Sequence, residues 1–257
     1  MFPQTSPLTR RTVALCLVLA ALVAALPVRA QAAEPFRLNT DGAPPHSSAD
    51  GKGYEDRIVA EGFRRIGVPV RLVVLPSERA LQNVVQGIDD GNYPRIDGLT
   101  ANYPELVMVP ESMSTFPCAA FTRDPALKHV SWGDLNGPQA AYVRGWKLVE
   151  RNVPDPSKLK RARDQETLFL MLDMNRAQVV IADLYTGREI IRRRGYKGMR
   201  ALLPPLADPP MYIYLNKRHA VLVPRLVEAL REMKRDGTIE RLTRAGLAGY
   251  GVDGGAP

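Results

Sequence analysis

The sequence predicts an α/β chain built as two lobes, each a mixed and mostly parallel sheet flanked by helices, with two crossings between them. Three observations support this. From Phe36 onward, short β-branched runs alternate with amphipathic helical stretches, which is the pattern of βαβ units. No repeat of solenoid period and no low-complexity linker divides the chain. Two strand-like stretches, 114–121 and 204–212, stand where the chain would pass from one half to the other and return. The expected division is a leader over 1–32, a first lobe over 33–116, a second lobe over 117–210, a return to the first lobe over 211–248 and a flexible tail over 249–257.

The elements follow in order. A strand is expected over 36–40, then a turn-rich loop through Asp41 and His46, then a helix over 54–66 with Ile58, Val59, Phe63 and Ile66 on one face. Gly67 stops that helix, and a β-branched strand follows over 68–75. Ser77 is suited to cap a helix that runs to Gln86 and ends at Gly87. Strands are expected over 96–100 and 106–109, and another around Cys118. In the second half, a strand over 139–143 ends at Arg144-Gly145-Trp146, where a helix can start. A helix over 165–174, a buried strand over 178–182 and a helix over 184–194 come next. A strand over 211–215, a long amphipathic helix over 220–235 and a last helix over 238–245 close the series. The tail over 249–257 has five glycines or prolines in nine residues.

The first 32 residues read as a cleavable secretory signal. Arg10 and Arg11 precede an uncharged apolar run over 13–26, Pro27 breaks it, and Ala30-Gln31-Ala32 has the small-x-small pattern of a cleavage site. A permanent membrane anchor needs about 20 apolar residues, more than this run holds. The general secretory route is expected, although Arg10-Arg11 is also a partial twin-arginine pattern. The periplasm is the expected compartment. Cys16 lies in the leader, so the processed chain keeps Cys118 alone and no intramolecular disulfide. The formal charge of +8 falls to +5 without Arg10, Arg11 and Arg29, and the remaining basic residues are scattered except for Arg192-Arg193-Arg194. Nucleic-acid binding needs a clustered basic stripe with aromatics, so that class is excluded. His46, His129 and His219 are far apart, so no metal site is expected, and no cofactor motif is present. No Gly-x-Ser-x-Gly elbow, His-Glu-x-x-His helix or phosphate loop marks an enzyme.

Several stretches resemble the family-3 extracellular solute-binding proteins, the periplasmic proteins that serve amino-acid ABC importers. Gly53-Tyr54-Glu55-Asp56 before a helix is similar to the start of the family's first helix. Ser77-Glu78-Arg79-Ala80-Leu81, followed by Val85-Gln86-Gly87 and Asp89-Asp90-Gly91, looks like its second helix and turn. The stretch 172–183 looks like its helix-to-strand passage ending in an acid, and 226–239 resembles the closing helix of the first lobe. The likeness spans 36–248 and identifies a divergent branch. It implies the type II two-lobed periplasmic binding protein fold, with a small polar, carboxylate-bearing ligand such as an amino acid held at the cleft. It also implies a monomer that hands its ligand to a membrane permease by hinge closure. A periplasmic ligand-sensing partner of a membrane signalling protein, and a dehydratase-like enzyme on the same fold, are the alternatives. Amino-acid binders of the family carry Thr-x-x-Arg after the third strand, and here the stretch is Thr100-Ala101-Asn102-Tyr103, with no arginine at that place. Arg95, just upstream, is the substitute.

A small-ligand cleft needs a few aimed polar groups and aromatic walls. Arg144, at a strand end before Gly145, is the leading anion candidate, with a surface arginine as the plainer reading. Asp183 ends an apolar strand and is suited equally to receive a ligand ammonium or to cap the next helix. Asp41 and His46 lie in the first strand-to-helix loop, which in this fold looks toward the cleft. Trp146 and Tyr103 either stack on the ligand or pack between lobes. Tyr54, Glu78, Arg79, Thr100 and Asn102 complete the candidate set, with Glu78 and Arg79 equally able to pair along their helix.

Overall fold

The computed structural model describes residues 34–250. The leader expected over 1–32, with Cys16, and the tail beyond Tyr250 lie outside the described residues. Among the described residues no helix is long and apolar enough to cross a membrane.

Two sheets organise the fold. The first contains β1 (Phe36–Thr40), β2 (Val70–Val74), β3 (Gly91–Arg95), β4 (Leu106–Met108), β5 (Ser114–Thr115) and β11 (Pro210–Asn216), in the order β2-β1-β3-β11-β4 with β5 paired to β11. The second contains β6 (Cys118–Thr122), β7 (Ala140–Val143), β8 (Lys160–Ala162), β9 (Val179–Asp183) and β10 (Arg200–Ala207), in the order β10-β6-β9-β7-β8. Strands β1, β2 and β3 run parallel, as do β7, β8 and β9. Strand β11 is antiparallel in the first sheet and β6 in the second. The chain leaves the first sheet between Thr115 and Cys118 and re-enters it between Ala207 and Pro210. At these crossings the Phe116 amide donates to the Pro209 carbonyl at 3.1 Å. The α/β class with two crossings is as the sequence predicts.

Helices cover the sheets because their apolar stripes have nowhere else to go. Helix α1 (Tyr54–Arg65), α6 (Val223–Arg235) and α7 (Thr238–Leu247) pack on the first sheet, where Ile58, Phe63, Leu226 and Met233 join Leu38, Tyr93 and Ile213 in one core. Helix α4 (Gln165–Asp173) and α5 (Leu184–Arg194) pack on the second, where Leu168, Phe169 and Ile190 meet Phe121, Val143 and Val180. A third cluster joins the two sheets. In it Leu81 and Val84 of α2 (Ser77–Val85), with Ile96, share a core with Tyr142 and with Leu148 and Val149 of α3 (Lys147–Asn152).

The structure differs from the sequence expectation in places that have physical causes. The strand expected over 96–100 is displaced: the strand is Gly91–Arg95, and Gly98 at φ 78° turns the chain into a 3₁₀ turn over Leu99–Ala101. Pro94 sits inside β3, where the ladder to β11 shifts register between Tyr212 and Tyr214, so the missing amide fits. The strand-like crossing expected over 204–212 is preceded and overlapped by β10 (Arg200–Ala207), an edge strand that tolerates Pro204 and Pro205. The helix expected from Ala220 starts at Val223, with Pro224 in its first turn. Ser77 does not cap its helix; Pro76 holds that place.

Phe121 is fully buried and stacks edge-on to Phe169, with centroids 5.0 Å apart. Phe121→Ala removes that contact and leaves a cavity under α5, so we expect a stability loss of about 3–5 kcal/mol in urea unfolding.

Candidate functional site

Loop 41–53 leaves β1 and returns through His46 to Gly53 before α1 begins. Gly53 lies against the His46 carbonyl so closely that an added Cβ would sit 2.2 Å from it. The backbone approach permitted by glycine holds the His46 segment against the start of α1. Strand β9 of the other sheet ends at Asp183, which accepts from the Thr186 amide at 2.7 Å and so caps α5.

His46 joins these elements. Its Nε2 lies 2.9 Å from Asp183 Oδ1, its Nδ1 2.8 Å from the Tyr54 hydroxyl and 3.4 Å from Glu55 Oε1. All three partners and His46 itself are buried, so the imidazole lies between one acid of each sheet. Burial opposes its charge, but Asp183 and Glu55 outweigh that and push its pKa from 6.5 up to about 10. The ring is therefore an imidazolium at neutral pH, donating from both nitrogens. Ser114, beside the first crossing, donates from Oγ to Glu55 Oε1 at 2.6 Å.

The second oxygens of these acids are free. Glu55 Oε2, Asp183 Oδ2 and Thr186 Oγ1 are buried with no hydrogen-bond partner. All three residues line one pocket of about 60 Å³, together with Asp41, His46, Arg95 and Trp146. Ile96, Phe116, Leu148 and Met211 provide apolar wall, and Phe116 meets Trp146 edge-on at 5.1 Å. A wider second pocket of about 550 Å³ shares Asp41, Trp146, Gln165 and Thr186 with the first, inner one, so the two adjoin. Its rim carries Arg163, Asp164, Glu166, Glu189 and Arg193.

Arg95 lines the same inner pocket and is only 5% exposed. Its Nε donates to Asn92 Oδ1, Nη1 to Ser77 Oγ at 2.9 Å and Nη2 to the Ser77 carbonyl at 2.8 Å. These partners are neutral, and a guanidinium has five donors, so two remain for an anion. A buried cation without a facing carboxylate is costly unless a ligand supplies the charge. The displaced role of Ser77 is explained here, since its hydroxyl is engaged with Arg95 rather than with the helix end.

The sequence candidates divide. Asp41, His46, Arg95, Trp146 and Asp183 come together around the inner pocket, and Tyr54 reaches it through His46. Asp183 caps α5 and also lines the inner pocket, where its Oδ2 has no hydrogen-bond partner. Arg144 is exposed and lines neither pocket, because the turn at Gly145, with φ 89°, carries it outward. Arg79, Thr100 and Asn102 are exposed and lie outside both pockets as well. Tyr103 packs against the shared apolar cluster. Glu78 pairs across the sheets with Lys147 at 3.3 Å, where an added Cβ on Gly145 would lie 2.7 Å from the Glu78 amide. Glu55, Thr186, Phe116 and Gln165 were missed. Glu55 lay inside the quoted Gly53–Asp56 motif, but nothing in its spacing distinguishes it from an exposed first-turn acid.

No family model matches the chain. An uncharacterized protein of Shewanella oneidensis (strain MR-1) is 23% identical over 207 residues, which is 77% of each chain. Among solved structures, a histidine kinase sensor domain with similarity to periplasmic binding proteins aligns with a TM-score of 0.72 and 16% identity, over 83% of this chain and 96% of that one. An ancestral arginine-binding protein bound to glutamine aligns with a TM-score of 0.68 and 18% identity, over 82% and 96%. These likenesses, with two sheets joined by a pair of crossings and a pocket at their junction, establish that the chain has the two-lobed fold of the periplasmic binding proteins.

Proposed function

We propose that this chain is an exported solute-binding protein that holds a small zwitterion, an amino acid or a close relative, between its lobes. The observation that carries the reading is the polarity of the inner pocket. A buried arginine with spare donors, Arg95, and three buried oxygens without donors, on Glu55, Asp183 and Thr186, line one cavity. An α-carboxylate on Arg95 and an ammonium among the three oxygens would satisfy both sets at once. Trp146 and Phe116 would cover the side chain. The structural neighbours include an arginine-binding protein and a substrate-binding protein of an amino-acid ABC transporter, which agrees with this ligand class.

Closure of the lobes on the ligand is the proposed mechanism. It stabilises the closed state only in proportion to the ligand's preference for that state. Glu78–Lys147 at 3.3 Å, Arg151–Asp97 at 3.1 Å and His46–Asp183 at 2.9 Å are ion pairs between the lobes that opening would strain or break. The partner is proposed to be a membrane permease. The likeness to a kinase sensor domain favours a second reading, in which the partner is a membrane signalling protein. Turnover is not proposed: Cys118, the one cysteine among the described residues, is buried and its thiol is pushed up by that burial.

A thermal-shift screen of the processed protein against the standard amino acids, organic acids and polyamines tests the reading. An amino acid should raise the melting temperature by mass action, and no shift across the whole panel would remove it. Isothermal calorimetry on variants locates the site. Arg95→Gln and Asp183→Asn should each weaken the bound amino acid at least about tenfold, the cost of an unmet charged hydrogen bond. Arg144→Ala should leave affinity within about twofold, as a surface change does.

A further inference from the structure

The inner pocket places a fixed internal cation on the same two acids that the proposed ligand would use. His46 takes Asp183 Oδ1 and Glu55 Oε1, and leaves Asp183 Oδ2 and Glu55 Oε2 facing the cavity without donors. A ligand ammonium seated on those free oxygens would share both carboxylates with the imidazolium. Two cations would then stand on opposite edges of one acid pair in a buried setting.

Resting on the reading of the cleft as an ammonium-binding site, we propose that ligand binding expels a proton from His46, so that uptake is coupled to proton release. The charge balance is explicit. Before binding, one imidazolium faces two carboxylates. After binding, the ammonium replaces its charge, and the proton leaves from an imidazole nitrogen to solvent as the neutral ring stays in place. No bond other than N–H breaks.

The surroundings of the ring favour this outcome. From α1 the groups that face it are Tyr54 and Glu55. From the β9–α5 junction they are Asp183 and Tyr185, whose ring centroid lies 6.2 Å away. Asp41 lies on the pocket wall from the ring's own loop, and Arg95 lies on it from β3. Asp56, next in sequence to Glu55, is engaged by Ser47 and Tyr93 instead. The largest influence on His46 is burial, which disfavours its charge, and Asp183 and Glu55 alone reverse that. An ammonium that neutralises these acids removes the reversal and leaves burial to win.

The sign of the pH dependence follows. In the ligand-free protein the pKa is raised from 6.5 to about 10, so the stability that the protonated ring contributes is fully present below 6.5 and is lost as pH rises through about 10. Ligand binding is opposed by the same proton. Between the lowered pKa of the bound form and the pH at which the ligand's own ammonium starts to lose its proton, affinity should tighten with pH, by up to about tenfold per unit for one released proton.

Calorimetry at about pH 8, in phosphate, HEPES and Tris, whose ionisation enthalpies differ, counts the protons. The probes are glycine, L-glutamine and L-arginine, which share one ammonium. For a probe that binds, the apparent heat should vary with buffer enthalpy and report release approaching one proton, and NMR of the liganded protein at the same pH should show the His46 ring neutral. N-acetylglycine, which keeps the carboxylate and lacks the ammonium, should release none. Buffer-independent heats, a His46 ring still protonated in the complex, or release on binding N-acetylglycine would each overturn the coupling and leave the binding reading intact. Failure of these probes and of every other standard amino acid to bind would remove both. Separately, NMR of the unliganded protein should show the His46 ring titrating well above 6.5, and a midpoint at or below the ordinary histidine value would overturn the coupling without any ligand.

Discussion

Two buried acids from different sheets share one imidazole, and the junction of the lobes is organised around that arrangement. Glu55 and Asp183 are both buried, and a buried carboxylate needs a cation beside it. His46 supplies it through one oxygen of each, while Tyr54 and Ser114 fix the remaining geometry. The acids are brought together by the chain crossings. Ser114 stands just before the first crossing and Cys118, paired with Asp183 in the sheet, just after it. The base of the cleft is therefore assembled from segments that are far apart in sequence.

The arginine that lines the same pocket is held differently. Arg95 is held by neutral groups, and the polar chain runs from it through Asn92 and Asn39 to the buried carboxylate of Asp89. Its charge is supported at a distance while its remaining donors stay uncommitted. The pocket is lined both by Arg95, whose three hydrogen bonds leave two N–H groups over, and by three buried oxygens with no partner, with Ile96, Phe116, Trp146 and Leu148 beside them. Apolar enclosure strengthens both sets, because water cannot compete for them.

Farther from the crossings, the lobes touch through a seam of ordinary packing. Leu81, Val84 and Ile96 lie in one cluster with Leu148 and Val149, and the Glu78–Lys147 pair borders it. Gly145 matters here for two physical reasons. Its positive φ suits glycine, and its bare Cα lets the turn lie against the start of α2. The same turn directs Arg144 outward, so a residue that looked well placed at a strand end stands exposed.

Local pattern was sufficient for the fold class. The helices 54–65, 77–85, 165–173 and 184–194 and the strands around 36–40, 118–122, 140–143 and 179–183 follow from periodicity, because the 3.6-residue and two-residue repeats are properties of the chain itself. Half-buried edge strands such as β8 and β10, and β3 with its internal proline, carry no such signal, and partners in the sheet decided them. For the candidate site, strand-end position and side-chain chemistry were enough to raise Asp183, His46, Arg95 and Trp146. The sequence could not select Glu55 over Glu78, or Arg95 over Arg144, because those choices depend on which side chains meet across 127 residues of intervening chain, as Glu55 and Asp183 do through one ring. Periodicity is local and charge pairing is spatial, so the amino-acid order determined the layers, and only the tertiary structure decided which acids face the same cation.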